Sequence, residues 1–393
     1  MSELSNVSSY VTEKISVDSI DISEYITTDN LLQNKRGRVI AEKLPTQKVT
    51  KFKQDDILIA NIRPYLKKIW QADIDGGASS DVLVVRPNDV IDNNFLYYAL
   101  TQDSFFEYVM KGSKGTKMPR GDKSQIMNFV IPDLEIDEQI KIGKLLKSID
   151  QKIQINNQIN QELEAMAKTL YDYWFVQFDF PDQNGKPYKS SGGKMVYNPE
   201  LKREIPEGWG VEKLENIANI TMGQSPKGTS YNEVGEGMLF FQGSTDFGWR
   251  FPVARQYTTE PSRIAEEDDI LLSVRAPVGT LNIADTRCCI GRGLAAINSK
   301  VGANSYIFNV MQDFKKLFDM MNSVGTTFGS ITKDDLYSLQ LVYPPNELLM
   351  KFDQSVKSFD REIKNRSRQN QELTQLRDCL LPMLMNGQVK VER

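Results

Sequence analysis

The chain repeats itself at long range. The phrase NQEL begins at Asn160 and again at Asn370, and KSIDQKI from Lys147 is matched by KSFDREI from Lys357, both at an offset of 210 residues. Around the first copy, apolar residues recur at alternating spacings of four and three: Ile142, Leu146, Ile149, Ile153, then Leu163, Ala167, Leu170 and Trp174. Asn156 and Asn160 occupy the seam between the two groups. The same offset carries this seam onto Phe352, Val356, Phe359, Ile363, Arg366, Asn370, Leu373, Arg377, Leu380 and Leu384. Spacing sustained over this many heptads predicts two coiled-coil helices rather than two surface helices with one buried face. The first is expected from after Pro132 to about Phe175. The second is expected from after Pro344-Pro345 to near Pro382, whose ring removes an interior helix bond. A helix of roughly 40 residues spans about 60 Å.

The segments ahead of each helix also correspond. DDILIANIRP, from Asp55, resembles DDILLSVRAP, from Asp268, each a buried-strand pattern running into Arg and Pro. KGSKGTKMPRGDKSQIMNFVIP (111–132) and VGTTFGSITKDDLYSLQLVYP (324–344) each give a Gly-rich loop, a short helix and a strand. Short strands mixed with helices predict an α/β (α+β) class, repeated as globular part, helix, globular part, helix. At 393 residues the chain exceeds one ordinary core. The expected division is 1–133, 134–200, 201–344 and 345–393, with the Pro/Gly/Ser-rich stretch 180–210 as an irregular connector.

Composition narrows the chemistry. There is no histidine, so nucleophile–His pairs, His-based metal helices and His general bases are excluded. Three cysteines, two of them adjacent, fit neither a disulfide framework nor a paired-cysteine zinc site. No apolar run approaches the ~20 residues that span a bilayer, and the N-terminus lacks the regions of a secretion signal. A soluble cytoplasmic protein without membrane contact is expected. The net charge of −4 argues against a uniformly basic coat. Positive charge is instead local: Lys35, Arg36, Arg38, Lys43, Lys48, Lys51 and Lys53 lie in one stretch, and Lys111, Lys114, Lys117, Arg120 and Lys123 in another.

Several short motifs weigh little. Pro181-Asp182 with Glu200-Leu201-Lys202 has the loose spacing of a Mg²⁺-dependent nuclease, but in a turn-rich connector it reads as solvated linker. YPPN at 343–346 has the letters of an amino-methyltransferase motif in the wrong order, and its prolines better suit a helix start. GGK at 192–194 lacks the rest of a phosphate loop. The stretch 220–248 sets amide and hydroxyl side chains among glycines. There Gln224, Ser225 and Gln242 could read base edges, with Lys227, Arg250 and Arg255 on phosphates.

Nearly the whole chain resembles the specificity subunits of type I DNA restriction–modification systems. The resemblance is carried by KMVYNPELKREIPEGWGVEKLENIANITMGQSPKGTSYNEVGEGMLFFQG (194–243), the two KSxDxxI…NQEL helices and the twofold plan. It implies two target-recognition domains separated by a pair of long antiparallel coiled-coil helices, each domain contacting half of a split double-stranded DNA site. It also implies no catalysis and no cofactor on this chain. Two modification subunits would supply S-adenosylmethionine and methylate adenine; restriction subunits would supply ATP and Mg²⁺. Two domains on such a rod suit half-sites about one DNA turn (~34 Å) apart. Expected DNA contacts in the first domain are Lys35, Arg36, Arg38, Arg63, Lys114, Lys117 and Arg120. In the second they are Gln224, Ser225, Lys227, Gln242, Arg250, Arg275, Arg292 and Thr326. Asn160 and Asn370 are expected to meet near the middle of the rod and fix its register. The competing reading is a scaffold without a DNA role, two interaction modules on a coiled coil.

Overall fold

The computed structural model describes residues 2–115, 117–323 and 330–392. Two compact units emerge, 1–155 with 370–393 and 156–369, so the division falls inside each long helix. The first long helix is Ile136–Tyr171, extended by a wider π turn over Asp172–Val176. The second is Asn346–Met385. It ends near Pro382, as expected, running three residues past it to Met385. In the last turn a proline costs a single bond, and Leu381, Leu384 and Met385 beyond or beside it are buried, which offsets that loss.

In the first unit, strands Ser8–Tyr10, Val82–Pro87, Ile57–Ala60 and Ile69–Gln71 form an antiparallel sheet in that order. A second sheet orders Lys14–Ile15, Val49–Phe52, Gly76–Ala78 and Tyr25–Ile26, its last pair parallel. The run ILIA at 57–60 has no polar alternation because both faces are covered. Ile57 and Ile59 face a core with Phe95, Leu96, Phe105, Ile142, Leu146 and Leu384, while Leu58 and Ala60 face one with Phe52 and Trp70.

The second unit repeats this plan. Ala218–Met222, Leu294–Ser299, Ile270–Ser273 and Leu281–Ile283 form the matching antiparallel sheet. A five-stranded sheet orders Tyr231–Asn232, Tyr257–Thr258, Met238–Phe241, Cys288–Ile290 and Ile264–Ala265. Ile270 and Leu272 point to the helix-side core and Leu271 to the core between sheets. Phe352, fully buried, meets Phe175, Trp174 and Tyr171 with ring centroids 5.1, 5.8 and 6.2 Å away. The short helix Leu214–Ile217 repeats Leu4–Val7 at the same offset of 210, as does the strand pair Gly210–Lys213 with Gln340–Tyr343 against Ser2–Glu3 with Val130–Ile131.

The long helices touch through their predicted seam. In the first unit Ile142 and Leu146 share a core with Leu381, Leu384 and Met385. In the second unit the seam carries a polar layer. Asn160 donates to Ser367 Oγ at 3.3 Å, and the fully buried Asn156 donates to Gln369 Oε1 at 2.8 Å and accepts from Arg366 Nη1 at 3.2 Å. The seam there combines amide, hydroxyl and guanidinium. Asn370, half-buried, falls in the first unit.

Candidate nucleic-acid interface

In the first unit, three loops fasten to one another through backbone bonds. Asn34 and Lys35 N–H donate to the Leu66 and Lys67 carbonyls, each at 2.9 Å, and Arg63 N–H to Pro119 at 2.8 Å. Lys114 and Arg120 exchange reciprocal backbone bonds of 2.9 Å. Arg63 sits at φ 53°, a left-handed conformation unusual for a residue with a Cβ, and the Pro119 bond holds it there. The structure thus brings Lys35, Arg36, Arg63, Lys114 and Arg120 into one loop cluster, with Lys117 on the same Gly-rich loop.

Their charges are partly engaged. Lys35 and Lys67 each reach the Asp103 carboxylate at 2.9 Å and, with the Lys67 bond foremost, hold it below the usual carboxylate range. Lys114 pairs with Asp122 at 3.2 Å and Arg120 with Asp81 at 3.1 Å. Exposed pairs of this kind contribute about 0–1 kcal/mol, so a phosphate can replace the carboxylate at little cost. Among the described residues Arg63 and Lys117 make no ion pair, and both are exposed. Arg38 is different. Its guanidinium lies 4.7 Å from the Trp70 ring centroid and donates to the Ser23 carbonyl at 2.7 Å, with Asp73 3.8 Å away. It belongs to the packing of the fold, not to the exposed loop cluster.

The corresponding place in the second unit is built from glycine and amide. Ser225 Oγ donates to Gln242 Oε1 at 3.0 Å, and Arg292 N–H to Ser225 Oγ at 3.3 Å. Gln224 N–H donates to Ile290 at 3.0 Å and Gly293 N–H to Gln242 at 3.1 Å. Such closeness demands glycine. A Cβ at Gly223 would lie 2.2 Å from the Gly291 carbonyl oxygen, and one at Gly291 would lie 2.9 Å from Gln242 Cα. Val274 N–H donates to Gly293 at 2.9 Å, which places Arg275 beside this group. Gln224, Ser225, Gln242, Arg275 and Arg292 therefore gather in one place. With Oε1 occupied, the Gln242 amide nitrogen remains a donor, and Arg275 and Arg292 are exposed. Amide and guanidinium groups are the side chains that bond adenine, guanine and phosphate.

The other expected contacts divide. Lys227 is exposed, 3.8 Å from Glu260. Thr326 lies outside the described residues. Arg250 is not a surface cation: it is 6% exposed and ion-paired on both sides by Glu164 and Asp360. Arg255 is held by Asp246 at 2.7 Å. Arg263, which the sequence reading missed, is exposed beside the cluster. Its carbonyl accepts from Ile290, and the neighbouring Ser262 hydroxyl donates to the Gln224 carbonyl. Its setting, just before the acidic run Glu266–Asp269, hid it.

In the connector, Asp182 Oδ1 closes a turn by accepting from Asn184 and Lys186 N–H at 2.7 and 2.9 Å, and Glu200 is exposed in a hairpin turn. Among the described residues no three His, Cys, Asp or Glu side chains gather as metal ligands. No helix among them is long and apolar enough to cross a membrane. Burial pushes the Cys288 thiol up to about 12, as befits an inert core position.

A model of the type I restriction modification DNA specificity domain matches residues 9–165 and 206–375. The chain belongs to this family. It is 32% identical over 320 residues to the MjaX specificity subunit of Methanocaldococcus jannaschii, covering 79% of this chain and 72% of that one. It is 22% identical over 457 aligned positions to the type I restriction enzyme HindI specificity subunit of Haemophilus influenzae, covering 98% of each. Among solved structures, the S subunit of a type I restriction–modification system from M. genitalium superposes with a TM-score of 0.62 at 16% identity, covering 98% of this chain and 95% of that one, a likeness of fold.

Proposed function

We propose that this chain is the DNA sequence-specificity subunit of a type I restriction–modification complex and reads a bipartite site, one half per repeated unit. One observation carries the reading. Both units bring the same three loops together: the loop after the buried strand (Arg63; Arg275), the loop before the short helix (Arg120; Ser330) and the turn ahead of the next strand (Asp81; Gly293). The meeting point is furnished with cations in one unit and with amide, glycine and arginine in the other. Two such points suit two half-sites with different bases, and favour DNA recognition over a scaffold of two unrelated interaction modules.

In this reading the recognition domains are 1–133 and 201–344, with helical regions 134–200 and 345–393 between and after them. The helices act as a ruler that sets the unread spacer. The chain supplies recognition, and its partners supply chemistry. Two modification subunits bring S-adenosylmethionine and methylate adenine; restriction subunits bring ATP and Mg²⁺; the assembly works in the cytoplasm. Phosphate contacts come from Lys35, Arg36, Arg63, Lys114, Lys117, Arg120 and Lys227, and base contacts from Gln224, Ser225, Gln242, Arg275 and Arg292. The test is to coexpress the chain with its modification subunit and map methylated adenines across the genome. A motif of two short half-sites around a fixed spacer is expected. Absence of any motif sinks the proposal.

A further inference from the structure

The position of Arg250 marks an asymmetry in the charge pattern of the repeat. It stands in the loop between strands Met238–Phe241 and Tyr257–Thr258, the same loop that carries Gln242. Its Nη1 donates to Glu164 Oε1 of the first long helix at 3.0 Å, and its Nη2 to Asp360 Oδ1 of the second at 2.7 Å. The guanidinium carbon lies 4.0 Å from the Phe308 ring centroid, Ser305 Oγ donates to Asp360 Oδ2 at 2.8 Å, and Gln312 reaches Glu164 at 3.4 Å. The loop itself is knitted to strand Leu281–Ile283. Ile283 N–H donates to the Arg250 carbonyl at 2.9 Å, and the Asn282 amide bonds Gly248 in both directions at 3.0 and 3.1 Å. That strand pairs with Ile270–Ser273, which leads to Arg275.

The first unit balances the equivalent carboxylate differently. Asp150, at an offset of 210 from Asp360, takes its cation from the second long helix itself: Arg377 Nη1 lies 2.7 Å away, and Tyr98 Oη also donates at 2.7 Å. The position equivalent to Arg377 in the first long helix is Ala167, which lines a small cavity together with Arg250, Glu164 and Asp360. Helix-borne carboxylates are thus neutralised by a helix in one unit and by the recognition loop in the other. A guanidinium is the side chain able to do this, because its rigid fork bonds two carboxylates at once.

We infer that Arg250 is a positioning residue that seats the second recognition domain on both long helices and so fixes the spacing at which the half-sites are read. The inference rests on the proposed reading of a bipartite site. Removing the cation leaves Glu164 and Asp360 facing each other and loosens the seat of the domain on the helices, while Gln242 keeps its own bonds to Ser225 and Gly293. The contact is local to this unit, so the bases read by each half do not depend on it. Spacing does.

The test uses the full complex of this chain with its modification subunit, and DNA duplexes carrying the mapped motif with spacers shortened or lengthened by one and two base pairs. Arg250→Met should reduce discrimination between native and altered spacers by about tenfold or more, a fraction of the effect expected for one lost buried charge contact, with half-site identity unchanged. A purely structural role is separated by Arg250→Met combined with Ala167→Arg, which returns a guanidinium from the helix as in the first unit. Thermal stability should recover while spacing stays relaxed. Spacing discrimination that returns with stability, or that Arg250→Met leaves intact, overturns the inference. If Arg250→Met does not fold, the double variant carries the test alone, with the same two outcomes. A wild-type complex that yields no bipartite motif fails the underlying reading, which is a different result.

Discussion

The two units share a backbone plan and differ in how they neutralise buried carboxylates. Asp56 in the first unit and Asp269 in the second stand at equivalent turns, each preceded by an aspartate at φ 69°. Asp56 is held by Arg86 through bonds of 2.8 and 2.6 Å. At the matching place on the partner strand the second unit has Asn298, whose amide donates to Asp269 at 2.8 Å. Burial without a cation then raises the Asp269 carboxyl above its ordinary range. A related difference separates two half-buried acids, Asp150 paired with Arg377 of a helix and Asp360 paired with Arg250 of a loop. In each pair the acid stays at its repeat position and the donor changes, because an anion placed by the backbone accepts any donor that geometry delivers.

The largest effect expected from breaking this comparison lies in the shared core. Phe352→Ala should destabilise the second unit by about 3–5 kcal/mol, and the equivalent Ile142→Ala the first by about 2–5 kcal/mol. Amide exchange in strand Leu294–Ser299 should accelerate for the former and in Val82–Pro87 for the latter. Equal acceleration in both strands would show that the units do not open separately.

Next is the buried pair. Arg86→Met should cost about 2–4 kcal/mol in the first unit, less than a fully enclosed pair because the Arg86 side chain is 35% exposed. Asn298→Arg should move the second unit the other way by supplying Asp269 with a cation. Urea unfolding of both variants checks the signs.

For DNA, Gln242→Ala should relax base preference at one half-site by about 1–3 kcal/mol. Replacing Lys114 and Lys117 with Ala should instead weaken binding to all sequences and reduce the salt slope by about 1–2 units. Binding titrations across salt concentrations on matched and mismatched duplexes distinguish the two, and a sequence-specific loss from the lysine variant would reverse the assignment of roles.

The smallest effect is on pH. A carboxyl whose folded value is raised binds its proton more tightly in the native state, so its contribution is present at low pH and lost as pH rises through that value. On mild acidification from neutral, the wild type should therefore gain stability relative to Asp269→Asn. Melting temperatures that run parallel for the two proteins would remove Asp269 from the account.

Much of the architecture was legible because helices and buried strands write their periods into the chain. The seam at Ile142, Leu146, Phe352, Val356 and Ile363 is buried as its spacing requires. Pro382 marked the end of the second helix to within one turn; the last residues, Leu384 and Met385, were set by a core that the local sequence does not show. The clustering of Gln224, Ser225, Gln242 and Arg292 was foreseeable as polar side chains among glycines. The fate of individual cations was not. Arg38 and Arg250 sit in stretches as polar as those of Arg63 and Arg292, yet Trp70 covers one and two helices enclose the other.

By itself the sequence determined the duplication, the two long helices, the strand faces and the class of side chain offered at each loop, since all of these follow from local spacing and composition. Only the tertiary structure decided which charges remain available to a ligand. An ion pair such as Arg250 with Asp360 joins residues 110 apart in the chain, and a guanidinium carries no mark of whether it will meet water, a phosphate or a buried carboxylate.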